Sequence, residues 1–185
     1  MDVTPRTVWT VHDSRASFDD ACRALGGGAA VLRDYTTSMK HYWHEAAYIP
    51  DVSSPDRAWA VASRFRQLRE DDFTGGFVLR AFEHFTPGEV RTWWRYGRCV
   101  FIGPHPDGGP ADLPSDVDFL APLVASFPFV TVDLARRVDG VWRVIELGDG
   151  QVSDRPRTVP VADFVHHLWD ASTDGNTTES GPASG

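Results

Sequence analysis

The sequence predicts an α+β fold, and three observations carry the prediction. Helical and extended patterns follow one another in mixed order, not in the strict alternation of a parallel α/β sheet. Two pairs of apolar runs flank the short reversals Tyr96-Gly97 and Asp139-Gly140, which makes them antiparallel hairpins. Hydrophobic residues fill 42% of 185 positions, with seven Trp and eleven Phe, so the chain has ample apolar area to build a core without staples.

The elements follow in order. A first helix is expected over residues 17–25, opened by a capping residue and stopped by Gly26-Gly27-Gly28, and 29–33 reads as a buried strand. Ser53-Ser54-Pro55 caps a second helix that runs to about Glu70, with Ala58, Trp59, Ala62, Phe65 and Leu68 near the 3.6-residue period. Gly75-Gly76 breaks the chain before a strand at 77–82. The hairpins are expected at 89–95 with 98–103 and at 129–136 with 141–147. A last helix over 161–169 packs through Phe164, Val165, Leu168 and Trp169. Residues 171–185, built from Ser, Thr, Gly, Asp, Asn and Pro, read as a disordered tail.

Composition removes several function classes. Eighteen basic residues against 26 acidic ones leave a net charge of −8, so the electrostatic footprint of a duplex nucleic-acid binder is absent. Two cysteines, Cys22 and Cys99, are too few for a disulfide framework and lack CxxC spacing, which points to a reducing cytoplasm. No apolar stretch approaches the length of a membrane span, and no targeting segment is evident. The P-loop, dinucleotide and nucleophile-elbow motifs are all missing, and His41-Tyr42-Trp43-His44-Glu45 has the wrong order for a zinc protease helix.

The second hairpin carries the chemistry. A two-residue type I′ turn at Asp139-Gly140 pairs Val138 with Val141 and, counting outwards, Asp133 with Glu146. Opposed carboxylates repel unless a cation or shared proton lies between them. Magnesium is the favoured cation, because it takes oxygen ligands from one or two carboxylates together with nucleotide phosphates. Asp149, in a Gly-Asp-Gly exit turn, is the expected third acid. A hairpin whose carboxylates splay into water has the same spacing, and a three-residue loop with a bulge would slip the register by one.

Basic candidates accompany the acids. Arg33 ends a buried strand, Lys40 lies in the polar loop that follows it, and Arg80 interrupts an apolar strand where a charge needs a partner. Arg91, Trp93 and Arg95 share one strand face with Glu89. An ordinary solvated loop and a surface charge ladder remain the plain alternatives.

The run VDLARRVDGVWRVIELGDGQVSDRP resembles the C-terminal metal-binding hairpin of a divergent ATP-grasp clade, related to the eukaryotic cell-division-cycle protein that assists assembly of a translation initiation factor. LRDYTTSMKHYWHEAAYIPD, DDFTGGFVLRAF and EVRTWWRYGR extend the likeness upstream in the same order. The resemblance implies two small α+β lobes with antiparallel sheets sandwiching ATP, in one domain over 1–170 that divides near 74–84. It implies that Asp133, Glu146 and Asp149 hold Mg2+. Arg33 stands where the family has lysine and Lys40 lies above the nucleotide, while Arg80 and Arg91 face the phosphates or the acyl substrate. Glu83 takes over the hinge contact that Ala81 lacks, Asp154 replaces a glycine, and much of the usual N-terminal region is missing.

The activity implied is that of a ligase which phosphorylates a carboxylate from ATP and passes the acyl group to an amine, with peptide or protein substrates among the candidates. The competing reading is an assembly factor, or a remnant domain, that binds Mg-ATP without catalysis.

Overall fold

The computed structural model describes residues 2–170; the tail expected to be disordered lies outside them, as does the Trp169 side chain. The chain divides into two compact units between His84 and Phe85.

In the first unit, Ser14 caps α1 (Arg15–Leu25) by accepting a hydrogen bond from the Ser17 amide. Pro55 opens α2 (Pro55–Arg69) at the position where its missing N–H costs nothing. Four short strands, β1 (Thr7–Trp9), β2 (Ala30–Arg33), β3 (Tyr48–Ile49) and β4 (Val78–Ala81), form an antiparallel sheet in the order β1-β4-β2-β3. Strand alternation sends Ala30, Leu32 and Leu79 into a core shared with Phe18, Leu25, Ala62 and Phe65 of the two helices. Phe18 meets Phe77 edge-on at 5.3 Å between ring centres, which locks α1 to the strand entry. The register sets Arg33 opposite Val78 and Arg80 opposite Val31, so both arginines lie on the face away from that core.

The second unit is a meander of long strands, β5 (Phe85–Arg95), β6 (Arg98–Pro104), β7 (Val130–Arg137) and β8 (Trp142–Asp149), in the order β6-β5-β7-β8. Tyr96 and Gly97 both take positive φ, 47° and 78°, as a two-residue primed turn requires. A short helix, α3 (Ala121–Val124), leads into β7, and α4 (Val161–Asp170) ends the described chain. Phe164 of α4 is buried between Trp93 at 4.8 Å and Phe101 at 5.2 Å. Val165, expected in the same contact, is 51% exposed, because the next helical residue turns about 100° away.

The hairpin between β7 and β8 departs from the expected turn. Its loop has three residues, Val138, Asp139 and Gly140, closed by hydrogen bonds from Gly140 N to Arg137 O and from Arg137 N to Val141 O. Gly140 takes φ 91°, the left-handed position that ends such a loop. The pairing near the turn is therefore one residue off, with Arg136 opposite Trp142 and Leu134 opposite Val144. A bulge then adds Ile145 on β8, and from there outwards Asp133 pairs with Glu146 as the shorter turn would have had it. Two one-residue offsets cancel before the acids are reached.

Candidate functional site

The expected acid pair is assembled in the second unit. Asp133 and Glu146 face each other across β7 and β8, Asp133 buried and Glu146 exposed. β5 runs on the other side of β7 and sets Arg91 opposite Asp133. The guanidinium closes on the carboxylate through both oxygens, Nε to Oδ1 at 2.7 Å and Nη2 to Oδ2 at 2.8 Å. This two-point geometry is the strong form of the pair, and burial of both partners limits screening by water. The bonds to Asp133 hold the Arg91 pKa above its ordinary value, against the burial that lowers it. The charge that answers Asp133 in the folded chain is thus Arg91.

Two loops complete the cluster. Arg91 Nη2 donates to His105 Nε2 at 2.7 Å, and that same nitrogen lies 3.6 Å from Asp133 Oδ2. After β8, the chain folds back over the strand pair: Ser153 Oγ reaches the Asp149 carbonyl at 2.7 Å and sits 3.0 Å from Thr131 Oγ1. The fold-back delivers the Asp154 carbonyl to Arg91 Nη1 at 3.2 Å. Gly148 makes this close approach possible, since a Cβ there would lie 2.6 Å from Thr131 Oγ1. The specificity of the Glu-Leu-Gly-Asp-Gly-Gln-Val-Ser run has this physical basis.

Asp149 does not join the acid pair. It lies an odd number of residues from Glu146 on one strand, hence on the other face, and its Oδ1 accepts from the Gln151 amide at 2.9 Å in the exit turn. Among the described residues no group of three or more acidic, His or Cys side chains is placed to hold a metal ion. The donor set that remains, two opposed carboxylates, is the kind of hard oxygen set that suits magnesium, with phosphate and water oxygens filling the other positions. His41, His44 and Glu45 form no such group either.

The basic candidates of the first unit fall into two groups. Arg33 and Arg80 line a hollow of about 380 Å³ on the open sheet face, together with Trp9, Asp34, Tyr35 and Val78. Burial first, and then the nearby charge of Arg33, push the Arg80 pKa down. Lys40 is exposed in a short helical turn beyond the loop, and Glu83 is half-buried near the end of the unit. Neither lines that hollow.

Two functional-looking side chains carried little signal in the sequence. His105 lies outside every quoted motif, yet it touches Arg91. Asp34, fully buried, organises the loop before Lys40: its Oδ1 accepts from the amides of Thr36 and Thr37 and from the Thr36 hydroxyl, each at 2.8 Å, while Oδ2 accepts from Arg69 Nε at 2.9 Å. Burial alone would raise the Asp34 pKa, but the Thr37 and Thr36 bonds and Arg69 outweigh it and hold the carboxyl below its usual range. Burial pushes both thiols, Cys22 and Cys99, up to about 11, which leaves neither as a ready nucleophile.

Comparison with known proteins closes the description. Residues 24–168 match a family model described as an ATP-grasp domain, the third family of its clade. No curated protein matches the sequence. Among solved structures, the chain is similar to a RimK domain ATP-grasp protein from Sphaerobacter thermophilus, at 16% identity and a TM-score of 0.49, over 80% of this chain and 52% of that one. It is similar to the ATP-grasp ligase PsnB, in complex with a phosphomimetic variant of its minimal precursor, Mg and ADP, at 15% identity and 0.46, over 80% and 44%. C-terminally truncated Cdc123 from Schizosaccharomyces pombe aligns at 13% identity and 0.47, over 97% and 88%. The chain spans about half the length of the first two.

Proposed function

We propose that this chain, which belongs to that clade family of ATP-grasp domains, is an ATP-dependent ligase that activates a carboxylate as an acyl phosphate for attack by an amine. The observation that carries the reading is the register that brings Asp133 opposite Glu146 with Arg91 on the adjoining strand. Asp133 and Glu146 would hold Mg2+, which when bound neutralises phosphate charge. Arg91 would face the transferring phosphoryl group, where a positioned cation stabilises the charge spread over its oxygens. Its bonds to His105 and the Asp154 carbonyl keep the guanidinium oriented beforehand.

In the first unit, Arg33 and Arg80 form an anion-binding face beside Trp9, suited to nucleotide phosphates, and Lys40 and Glu83 are the further nucleotide contacts in this reading. The carboxylate oxygen attacks the γ-phosphorus as the bond to ADP breaks; the amine then displaces phosphate and loses a proton. No protein nucleophile takes part, in keeping with two thiols raised by burial. The amine and carboxylate include peptides and proteins among their candidates, and the two free cysteines fit a cytoplasmic setting.

A second reading, an assembly factor that binds Mg-ATP without transfer, is favoured by one observation: both oxygens of Asp133 are already taken by Arg91. ADP release separates the two. A ligase releases ADP only when a carboxylate and an amine are both supplied from a mixed pool, and replacing Glu146 with Gln abolishes that release. Nucleotide binding with no stimulated ADP release establishes the second reading.

A further inference from the structure

A cavity of about 380 Å³ lies beside the Arg91 cluster, within the second unit, and its walls are the two loops that serve Arg91. One runs from Pro104 through His105 to Pro110 and the other includes Pro156 and Arg157. Four prolines, at 104, 106, 110 and 156, face the space. Proline offers no backbone N–H and a rigid apolar ring, so these walls take an apolar group and bring few donors that would need pairing. The volume sits at the small end of the range for ligand sites. His105 is common to this cavity and to the cluster, so an occupant that reaches the His105 wall meets the side chain Arg91 contacts at 2.7 Å. Arg157, 3.6 Å from Asp107, adds positive charge at the rim.

We propose that this cavity binds the acyl substrate, a carboxylate with a short apolar tail, the tail between the prolines and the carboxylate at the His105 wall. Its identity as the acyl substrate rests on the ligase reading; its preference for an apolar anion does not. The tail supplies affinity by burial, about 0.8 kcal/mol per CH₂, and the arginines select the sign of the head group.

Gly109 makes a clean test possible. It lines the cavity, its φ is not in the left-handed region, and a Cβ there meets nothing within 4 Å. Calorimetric titration of the full chain with hexanoate, acetate and hexylamine should show hexanoate binding at least ten-fold more tightly than either. Gly109→Leu should remove that preference while leaving the melting temperature and Mg-ATP binding unchanged, and Gly109→Ala should weaken it in part. Hexanoate that binds no better than acetate, or binds Gly109→Leu as well as the wild type, overturns the proposal. A chain that prefers hexanoate but releases no ADP with any amine keeps the cavity as an apolar-anion site and loses the ligase reading instead.

Discussion

Arg91 and Asp133 are mutually dependent. Both are largely out of water, and the carboxylate accepts two bonds from one guanidinium. Removing one partner strands a buried charge, which costs on the order of 3–5 kcal/mol, whereas removing both costs far less. Arg91→Ala should therefore lower urea-unfolding stability by that amount, and adding Asp133→Asn should restore most of it. A double variant no more stable than Arg91→Ala would show that the pair is not what holds the guanidinium side chain's place. Asp34 makes a second residue-scale case. Its folded pKa is depressed, so its contribution is fully present above the unfolded carboxylate value of about 3.9 and is lost as pH falls through the lower folded value. Wild-type stability should fall with acid in that window more steeply than that of Asp34→Asn, which starts lower at pH 7; parallel unfolding curves at pH 7 and pH 3 would contradict the assignment. Asp133, Glu146 and Arg91 could be found from the sequence because each breaks an apolar strand at a countable position. Asp34 and His105 could not, since their importance comes from Arg69 and Arg91, which are 35 and 14 residues away along the chain.

At the scale of the element, the β7–β8 hairpin shows why a correct pairing can be reached through a wrong turn. Asp-Gly suits a two-residue primed turn, but the same dipeptide also ends a three-residue loop, with Gly in the left-handed position. Local sequence does not separate the two, and no residue type announces the bulge at Ile145. The helices were more legible, because caps and the 3.6-residue period are local: Ser14 and Pro55 start helices that end at Leu25 and Arg69, close to the expected limits. The observed loop makes its own prediction. Gly140 sits at φ 91°, where a Cβ is strained though uncrowded by the backbone, so Gly140→Ala should cost about 1 kcal/mol. The two-residue loop made by deleting exposed Val138 would leave Arg137 opposite Val141, with Asp-Gly at its preferred positions. That deletion should be tolerated, and the test is equilibrium unfolding of both variants; a deletion that unfolds the chain would mean that the three-residue loop is itself required for the pairing of Asp133 with Glu146.

For the whole molecule, the acid pair sets stability against function. Glu146 is exposed and opposes another carboxylate, so the chain without ligand gains nothing from its charge. Glu146→Gln should leave the ligand-free melting temperature unchanged or slightly raised. Ligand reverses the balance: anything bound to the folded state alone stabilises it by about 2.7 kcal/mol at a hundred times its dissociation constant. For a chain of this size each kcal/mol moves the midpoint by roughly 2–4 °C, so saturating Mg-ATP should raise the wild-type midpoint by about 5–10 °C. ATP with a chelator should raise it less, because the net charge of −8 and the two facing carboxylates then oppose the triphosphate. In Glu146→Gln the magnesium-dependent part of the shift should largely vanish while the magnesium-independent part stays. A variant that keeps the full Mg-ATP shift would remove Glu146 from the metal's ligands, and an equal shift with and without magnesium in the wild type would remove the ion from the site. The four combinations of chain and chelator thus separate a destabilising surface charge from a ligand-binding one.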